Sequence, residues 1–156
     1  MLHNFVVMEN NMTLQAVISS VRTFCDSYNI PVNSSPTSSV PVDQIALRHR
    51  LMEEENNEYL EAAQAGDVIE IADALGDQLY ILCGTILSHG MQDVIEDVFR
   101  EIQSSNMSKL GDNGQPIVRD DGKILKGPNY FRPDLKSVLD KHSAGRHKSQ
   151  LEAEVS

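Results

Sequence analysis

The sequence predicts an all-α protein, with a four-helix-bundle-type core and a small β-hairpin near the C-terminus. Apolar residues recur at helical spacing through the first two thirds of the chain, and capping residues interrupt that pattern at intervals, which predicts the bundle. The segments PIVR and KIL flank Asp121-Gly122, a common two-residue turn, which predicts the hairpin. We expect one domain over residues 1–142 and a polar, disordered tail over residues 143–156.

The helices are placed by their apolar spacing and by the residues that end them. The first is expected over residues 13–28, with an apolar face made by Val17, Val21, Phe24 and Tyr28. Residues 31–41, rich in Ser and Pro, form either an ordered crossover or a flexible loop. Gly66 and Asp67 should separate the second helix from the third, since glycine ends helices and aspartate caps them. The later helices are expected over residues 43–65, 67–89, 91–105 and 133–142.

The composition excludes several classes of function. A net charge of −10 argues against a nucleic-acid backbone as partner. No apolar run reaches the roughly 18 residues that a membrane span needs, and the N-terminus lacks the basic region of a signal peptide. Cys25 and Cys83 fit no metal-ligand spacing. We therefore expect a cytoplasmic protein with neither a nucleic acid nor a membrane as partner.

Acidic residues are concentrated in the middle of the chain. Twelve carboxylates and no Lys or Arg lie between Arg50 and Arg100. A solvated helical hairpin usually mixes charges of both signs, because ion pairs one turn apart stabilise it. On a helical wheel, Glu55, Glu58 and Arg48 of the second helix fall inside the apolar arc, which contains Leu47, Leu51, Met52, Tyr59, Ala62 and Ala63. We expect this arc to be buried; the alternative is a solvated acidic run.

The third helix carries a second acidic stripe. The segment VIEIADALGDQLYILCGTIL is apolar almost all round, yet Glu70, Asp73 and Asp77 share one narrow face. Two antiparallel helices joined at Gly66 would bring this stripe beside Glu58. Carboxylates clustered without a basic partner repel one another, and a divalent cation relieves that repulsion. Oxygen-only ligands favour Mg²⁺, with Mn²⁺ as a possible substitute.

Four segments resemble the all-α NTP pyrophosphatases, the MazG-like and phosphoribosyl-ATP pyrophosphohydrolase-like superfamily. They are EENNE (54–58), DALGD (73–77), SNMSK (105–109) and KGPNYFRPD (126–134). The superfamily pattern is ExxE followed by ExxD, which Glu55, Glu58 and Asp77 match. The second Glu of the pattern is Ala74 here, so the resemblance implies either Asp73 or, as the second possibility, Glu70 as the remaining metal ligand.

The resemblance also implies an activity and an assembly. The expected reaction is the Mg²⁺-dependent hydrolysis of a nucleoside triphosphate, in ribo or deoxy form, to the monophosphate and pyrophosphate, in the service of nucleotide-pool sanitation. The expected assembly is a homodimer or a dimer of dimers. Glu54 is the candidate for orienting or deprotonating the attacking water. Candidate contacts to the substrate are Arg48, Asn106, Lys109, Lys126, Asn129 and Tyr130.

Two other functions remain open. One is the hydrolysis of phosphoribosyl-ATP in histidine biosynthesis, although those relatives look shorter and lack the KGPNYF segment. The other is a non-enzymatic helical module whose acidic face binds a basic partner. The base and sugar preferences of the enzyme are not readable from the sequence.

Overall fold

The computed structural model describes residues 12–154, and over these residues the chain forms five helices and no strand. The all-α prediction is therefore confirmed for this part of the chain. No helix in it is long and apolar enough to cross a membrane. The helices are α1 (Leu14–Ser27), α2 (Val42–Ala65), α3 (Val68–Ser88), α4 (Ile95–Met107) and α5 (Leu135–Glu154).

The chain forms two compact units, which divide between Gln92 and Asp93. The first unit contains α1, α2 and α3, and the second contains α4 and α5. The expectation of a single domain over residues 1–142 stays a prediction. Each unit is described below by itself.

The turn between α2 and α3 follows the sequence signals closely. Gly66 has a left-handed backbone, with φ of 71°, which suits a residue without a Cβ and ends α2. The Asp67 side chain accepts hydrogen bonds from the backbone N–H groups of Ile69 and Glu70, at 3.0 and 3.2 Å. These are donors that the first turn of a helix leaves unpaired. The predicted ends of both helices are confirmed at this turn.

The segment over residues 31–41 is an ordered crossover that is hydrogen-bonded to the end of α3. The backbone N–H of Asn33 donates to the carbonyl of Leu87 at 3.0 Å, and its side chain donates to the carbonyl of Ser88 at 2.7 Å. At Gly90, φ is 65° and an added Cβ would lie 2.0 Å from the carbonyl oxygen of Ser35. The close approach of the crossover to α3 therefore requires glycine at this position.

The core of the first unit is aliphatic and lies between α1, α2 and α3. It contains Ile18, Val21, Cys25, Ala62, Ala74, Ile81, Cys83, Ile86 and Leu87. The predicted buried arc of α2 is only partly buried: Ala62 is buried and Leu51 and Met52 are half-buried, whereas Leu47, Tyr59 and Ala63 are exposed. For these last three the prediction was wrong, because in the described part of this unit α1 packs against the α2–α3 pair through α3 and leaves much of α2 uncovered.

The predicted β-hairpin is wrong. The Asp121-Gly122 turn forms, with φ of 84° at Gly122, but the segments on either side pair only through an isolated antiparallel bridge between Val118 and Ile124. Both bridge residues are about half exposed, at 51% and 47%. A two-stranded ribbon with no apolar face to bury is marginal in water, so the turn forms without extended strands.

The second unit ends in a longer helix than the sequence predicted. A short helix was expected over residues 133–142, with a disordered tail after it, but α5 continues to Glu154. Asp134 stabilises its start by accepting hydrogen bonds from both the backbone N–H and the hydroxyl of Ser137, at 3.0 and 2.7 Å. Arg146 forms an ion pair with Asp93 at 3.6 Å, which holds the later part of the helix against its own unit.

Candidate functional site

The side-chain amide of Gln78 fixes the register of the α2–α3 pair. Its Nε2 donates to the backbone carbonyl of Glu55 at 3.2 Å, across the two helices. Glu55 lies 11 residues before Gly66 and Gln78 lies 12 after it, so the two helices run antiparallel with these residues at one level. Asp77, next to Gln78 in the chain, therefore lies at the level of Glu55. Sequence analysis missed Gln78, which is the one amide side chain between Glu70 and Cys83 of α3.

Glu55 is partly buried, unlike the carboxylates near it. Its Oε2 atom is buried and has no hydrogen-bond partner among the described residues. Burial is the main cause that raises the pKa of Glu55. Repulsion from four other carboxylates raises it further, and these are Glu58, Asp77, Glu54 and Asp73. Together with Glu55 they are called the acidic cluster below.

The acidic cluster gathers the residues that the sequence singled out, but its side chains are spread apart. Glu54, Glu58, Asp73 and Asp77 are exposed, although Glu58 was expected to be buried. Within residues 12–154, no three carboxylate, thiol or imidazole groups are close enough together to hold an ion as they stand. A buried, unpartnered oxygen within an oxygen-only donor set still fits Mg²⁺ chemically.

The alternative ligand Glu70 lies closer to the Gly66 turn. Glu58 and Glu70 both line a hollow of about 480 Å³, to which Glu61 and Asp67 also contribute. The α3 carboxylates that act on Glu55 are Asp73 and Asp77. The two candidate pairs on α3 therefore occupy different levels of the hairpin, and the choice of Asp73 over Glu70 remains a prediction.

Arg48 lies on the same face of α2 as Glu55, two helical turns earlier. Its guanidinium packs on the backbone of α3, where a Cβ added at Gly84 would lie 2.7 Å from Nη1. Gly84 is seven residues beyond Asp77, so the guanidinium is roughly 10 Å along the helix from that carboxylate. At this distance Arg48 is not a direct ion-pair partner of the acidic cluster. Its positive charge acts on Cys25, where it offsets part of the rise in pKa that burial causes.

The second unit brings together the SNMSK and KGPNY segments. The backbone N–H of Gly127 donates to the carbonyl of Lys109 at 2.9 Å. A Cβ at Gly127 would lie 2.2 Å from the carbonyl oxygen of Leu110, so this approach depends on glycine. The Lys109 ammonium donates to the Oδ1 atom of Asn106 at 2.8 Å. Two of the predicted substrate contacts are thus neighbours in the fold.

The other predicted contacts of the second unit also have local partners. The Lys126 ammonium lies over the ring of Tyr130, 4.4 Å from its centroid, in a cation–π contact. The Asn129 side chain donates to the Oδ1 atom of Asp112 at 3.0 Å. One face of Tyr130 is therefore covered by a lysine of its own segment, while the roles of these residues toward a substrate stay predictions.

A cluster of three aromatic residues in the first unit was not singled out as a site from the sequence. The rings of Phe24 and Tyr28 have centroids 4.4 Å apart, and Phe24 meets Tyr80 edge-on at 5.6 Å. Phe24 and Tyr28 were expected on the buried face of α1, but both are exposed. The signal that could have revealed Tyr80 is its spacing from Asp73 and Asp77, which puts the three on one face of α3.

Comparison with known proteins shows what this chain is similar to. The model of a family described as phosphoribosyl-ATP pyrophosphohydrolase matches residues 21–106, which contain the whole acidic cluster. A protein from Exiguobacterium sp. 255-15, described as a candidate NTP pyrophosphohydrolase, matches with 24% identity over 86% of this chain and 97% of its own. Its TM-score of 0.41 is too low for this likeness to bear on function. No curated protein sequence matches the chain.

Proposed function

Because this chain belongs to the phosphoribosyl-ATP pyrophosphohydrolase family, we propose that it is a Mg²⁺-dependent hydrolase of nucleoside triphosphates. The products are a nucleoside monophosphate and pyrophosphate, and the bond broken joins the α and β phosphates. The proposal extends the pyrophosphohydrolase activity of the family to a defined substrate class and a defined metal. Removal of unwanted nucleotides from the cellular pool would be its physiological use.

The observation that carries this proposal is the buried, unpartnered Oε2 of Glu55 among four other carboxylates. An ionised carboxylate in such a place is costly unless a cation compensates it. Glu55, Glu58, Asp73 and Asp77 would hold Mg²⁺, and the ion would neutralise phosphate charge and lower the pKa of a bound water.

Glu54 is the residue that we assign to the attacking water. It is exposed, so water reaches it, and its charge acts on Glu55, so it lies beside the metal ligands. A carboxylate in this position can accept the proton that the water loses as its oxygen bonds to the α-phosphorus. Pyrophosphate then leaves with the electron pair of the broken bond.

Lys109 and Lys126 stay, in this proposal, the candidate contacts to the phosphates, and Arg48 stays a candidate contact to another part of the substrate. The acidic cluster repels a triphosphate, so cations must offset that repulsion for the substrate to bind. Asn106 and Asn129 lie beside these lysines or their segments and offer hydrogen bonds to ribose or phosphate. We assign no separate role to Tyr130 beyond its contact with Lys126.

An apolar trough on the other side of the hairpin supports a homodimer. It has a volume of about 670 Å³ and is lined by His49, Met52, Leu75, Leu79 and Leu82, among others. The three leucines follow one another at spacings of four and three on α3 and are 44–48% exposed. A second copy of this antiparallel hairpin would bury them by symmetry. Leu79→Glu should then shift the chain toward the monomer in sedimentation equilibrium, whereas a monomeric wild type would contradict the assembly.

Phosphoribosyl-ATP is the second candidate substrate, because the family model that matches bears its name. The same bond between the α and β phosphates would break. A panel of ribo- and deoxynucleoside triphosphates together with phosphoribosyl-ATP, resolved by ion-exchange chromatography, separates the two. Cleavage of phosphoribosyl-ATP alone would favour the second candidate, and release of orthophosphate with a nucleoside diphosphate would refute the assigned bond.

The metal dependence is tested on the same panel. Glu58→Gln and Asp77→Asn should abolish both the activity and the rise in melting temperature that Mg²⁺ causes, because each removes a ligand charge. Asp43→Asn is the matched control, since Asp43 is exposed in the first turn of the same helix and lies outside both the acidic cluster and the apolar trough. Full activity in the presence of a chelator would exclude the metal site, and the absence of both activity and a Mg²⁺ effect would favour a non-enzymatic module.

A further inference from the structure

The aromatic cluster of Phe24, Tyr28 and Tyr80 presents ring surface to solvent. Their exposed fractions are 39%, 67% and 39%, although large aromatic rings in a small domain usually help to fill its core. The rings contact one another, so they form one continuous surface rather than three isolated side chains. Residues of two helices contribute to it, Phe24 and Tyr28 from the end of α1 and Tyr80 from α3.

The aromatic cluster adjoins the acidic cluster along a single face of α3. Asp73, Asp77, Tyr80 and Gly84 follow at spacings of four, three and four, which places them on one stripe of the helix. Tyr80 is one turn, roughly 5 Å along the axis, beyond Asp77. Gly84, the next member of the stripe, is where the Arg48 guanidinium packs. Along this stripe the order is therefore carboxylates, then an aromatic ring, then a cation.

This order matches the order of groups in a nucleotide. Phosphates need the metal that the carboxylates would hold, and the pentose that follows the α-phosphate bridges a gap of about one helical turn. A flat base then reaches the level of Tyr80, where exposed rings offer it a stacking surface. Tyr130 suits this role less well, because the Lys126 ammonium already covers one of its faces.

We propose that Phe24, Tyr28 and Tyr80 form the surface on which the base of the substrate stacks while its phosphates lie at the acidic cluster. This inference rests on the proposed function and adds to it the recognition of the base. Arg48, whose guanidinium packs at Gly84 at the far end of the stripe, would lie nearest the edge of the base. Any aromatic base has faces that stack, so the rings bind nucleotides of several kinds.

The test compares a nucleotide with a probe that has no base. Calorimetry in the presence of Mg²⁺ measures the affinity of each variant for a non-hydrolysable α,β-methylene nucleoside triphosphate and for inorganic tripolyphosphate. Tyr80→Leu and Tyr28→Leu should weaken binding of the nucleotide roughly five- to 150-fold, the range that loss of one base–ring stack produces. Binding of tripolyphosphate should not change. Tyr80→Phe keeps the ring and should behave as the wild type.

The control variant is Phe99→Leu, which removes an exposed ring, 65% accessible, from α4 in the other unit. Its affinities should equal those of the wild type. If the Leu variants weaken tripolyphosphate as much as the nucleotide, or weaken neither, the stacking surface is refuted. Equal losses in Tyr80→Phe and Tyr80→Leu would also refute it, since the hydroxyl rather than the ring would then matter.

A direct reporter is available because the chain contains no Trp. Phe24→Trp introduces a single indole into the aromatic cluster, and a stacked base should quench its fluorescence. Quenching by the nucleotide analogue but not by tripolyphosphate supports the inference, and unchanged emission on saturation with the nucleotide overturns it. A wild type that hydrolyses triphosphates while failing these tests refutes the stacking surface alone, whereas a wild type that hydrolyses none refutes the proposed function.

Discussion

Replacing Glu55 by Gln should have opposite effects on stability with and without Mg²⁺. In the metal-free protein the carboxylate is partly desolvated and repelled by four neighbours, and both effects raise its pKa. Glutamine keeps the shape and removes the charge. A buried polar group without a partner costs about 1–3 kcal/mol, and the amide keeps part of that cost, so we expect a gain of about 1 kcal/mol. For a chain of this size that is roughly 2–4 °C in melting temperature.

With Mg²⁺ the order should reverse. An ion that binds only the folded protein stabilises it by about 2.7 kcal/mol at one hundred times its dissociation constant. Glu55→Gln removes a charged ligand, so the variant should lose most of this gain. Its melting temperature should therefore lie above that of the wild type in a chelator and below it at saturating Mg²⁺.

The assay is differential scanning calorimetry of both proteins over a Mg²⁺ titration. Asp43→Asn is the control, because it changes the net charge equally outside the acidic cluster, and it should shift the melting temperature in the same direction with and without Mg²⁺. The pKa of Glu55 is raised in the folded protein, so its contribution to stability is fully present below the ordinary carboxylate range and is lost as the pH rises through the raised value. The difference in melting temperature between wild type and variant without Mg²⁺ should therefore disappear as the pH falls. A variant that is less stable without metal would refute the reasoning.

Four further substitutions test other parts of the molecule. Gly84→Ala should leave the free energy of unfolding unchanged or raise it by up to about 1 kcal/mol, because alanine favours helix. It should also lower kcat/KM, because the new Cβ displaces the Arg48 guanidinium. A normal kcat/KM would exclude a role for that guanidinium. Asp67→Ala should cost about 1 kcal/mol by denaturant unfolding, as the α3 cap is lost, with no change in Mg²⁺ affinity at matched folding. Lys109→Ala and Lys126→Ala should each lower kcat/KM roughly ten- to a hundredfold while the Mg²⁺-induced rise in melting temperature persists. Loss of that rise would show that the lysines stabilise the fold and do not bind the phosphates.

The parts of the fold that local chemistry decides were predicted correctly from the sequence. Gly66 and Asp67 end one helix and begin the next because their own backbone and side-chain preferences act over a few residues. Glu55 was recognised because a carboxylate inside an apolar arc is anomalous whatever the tertiary structure. The structure adds the register that Gln78 sets, which depends on a contact between two helices and leaves no periodic signal in either.

The errors share one cause, which is that exposure depends on what covers a face. Glu58 and Tyr59 share the apolar arc of α2, but among the described residues of the first unit no third helix packs over that part of it, and both are exposed. The Asp121-Gly122 turn forms because its own residues favour it. The segments beside it do not form strands, because they have no apolar surface to pack against. Phe24 followed a helical pattern correctly and still lies at the surface, in the aromatic cluster.

The crossover over residues 31–41 has a consequence for the dynamics of α3. The amide protons of Asn33 and Thr37 are bonded to carbonyls of Leu87 and His89, so solvent reaches them only when that end of the helix detaches. These two amides lie in a segment without regular secondary structure, yet they will exchange with deuterium only when the contact between the crossover and α3 opens. Their protection therefore measures the free energy of opening the contact between the crossover and the C-terminal end of α3.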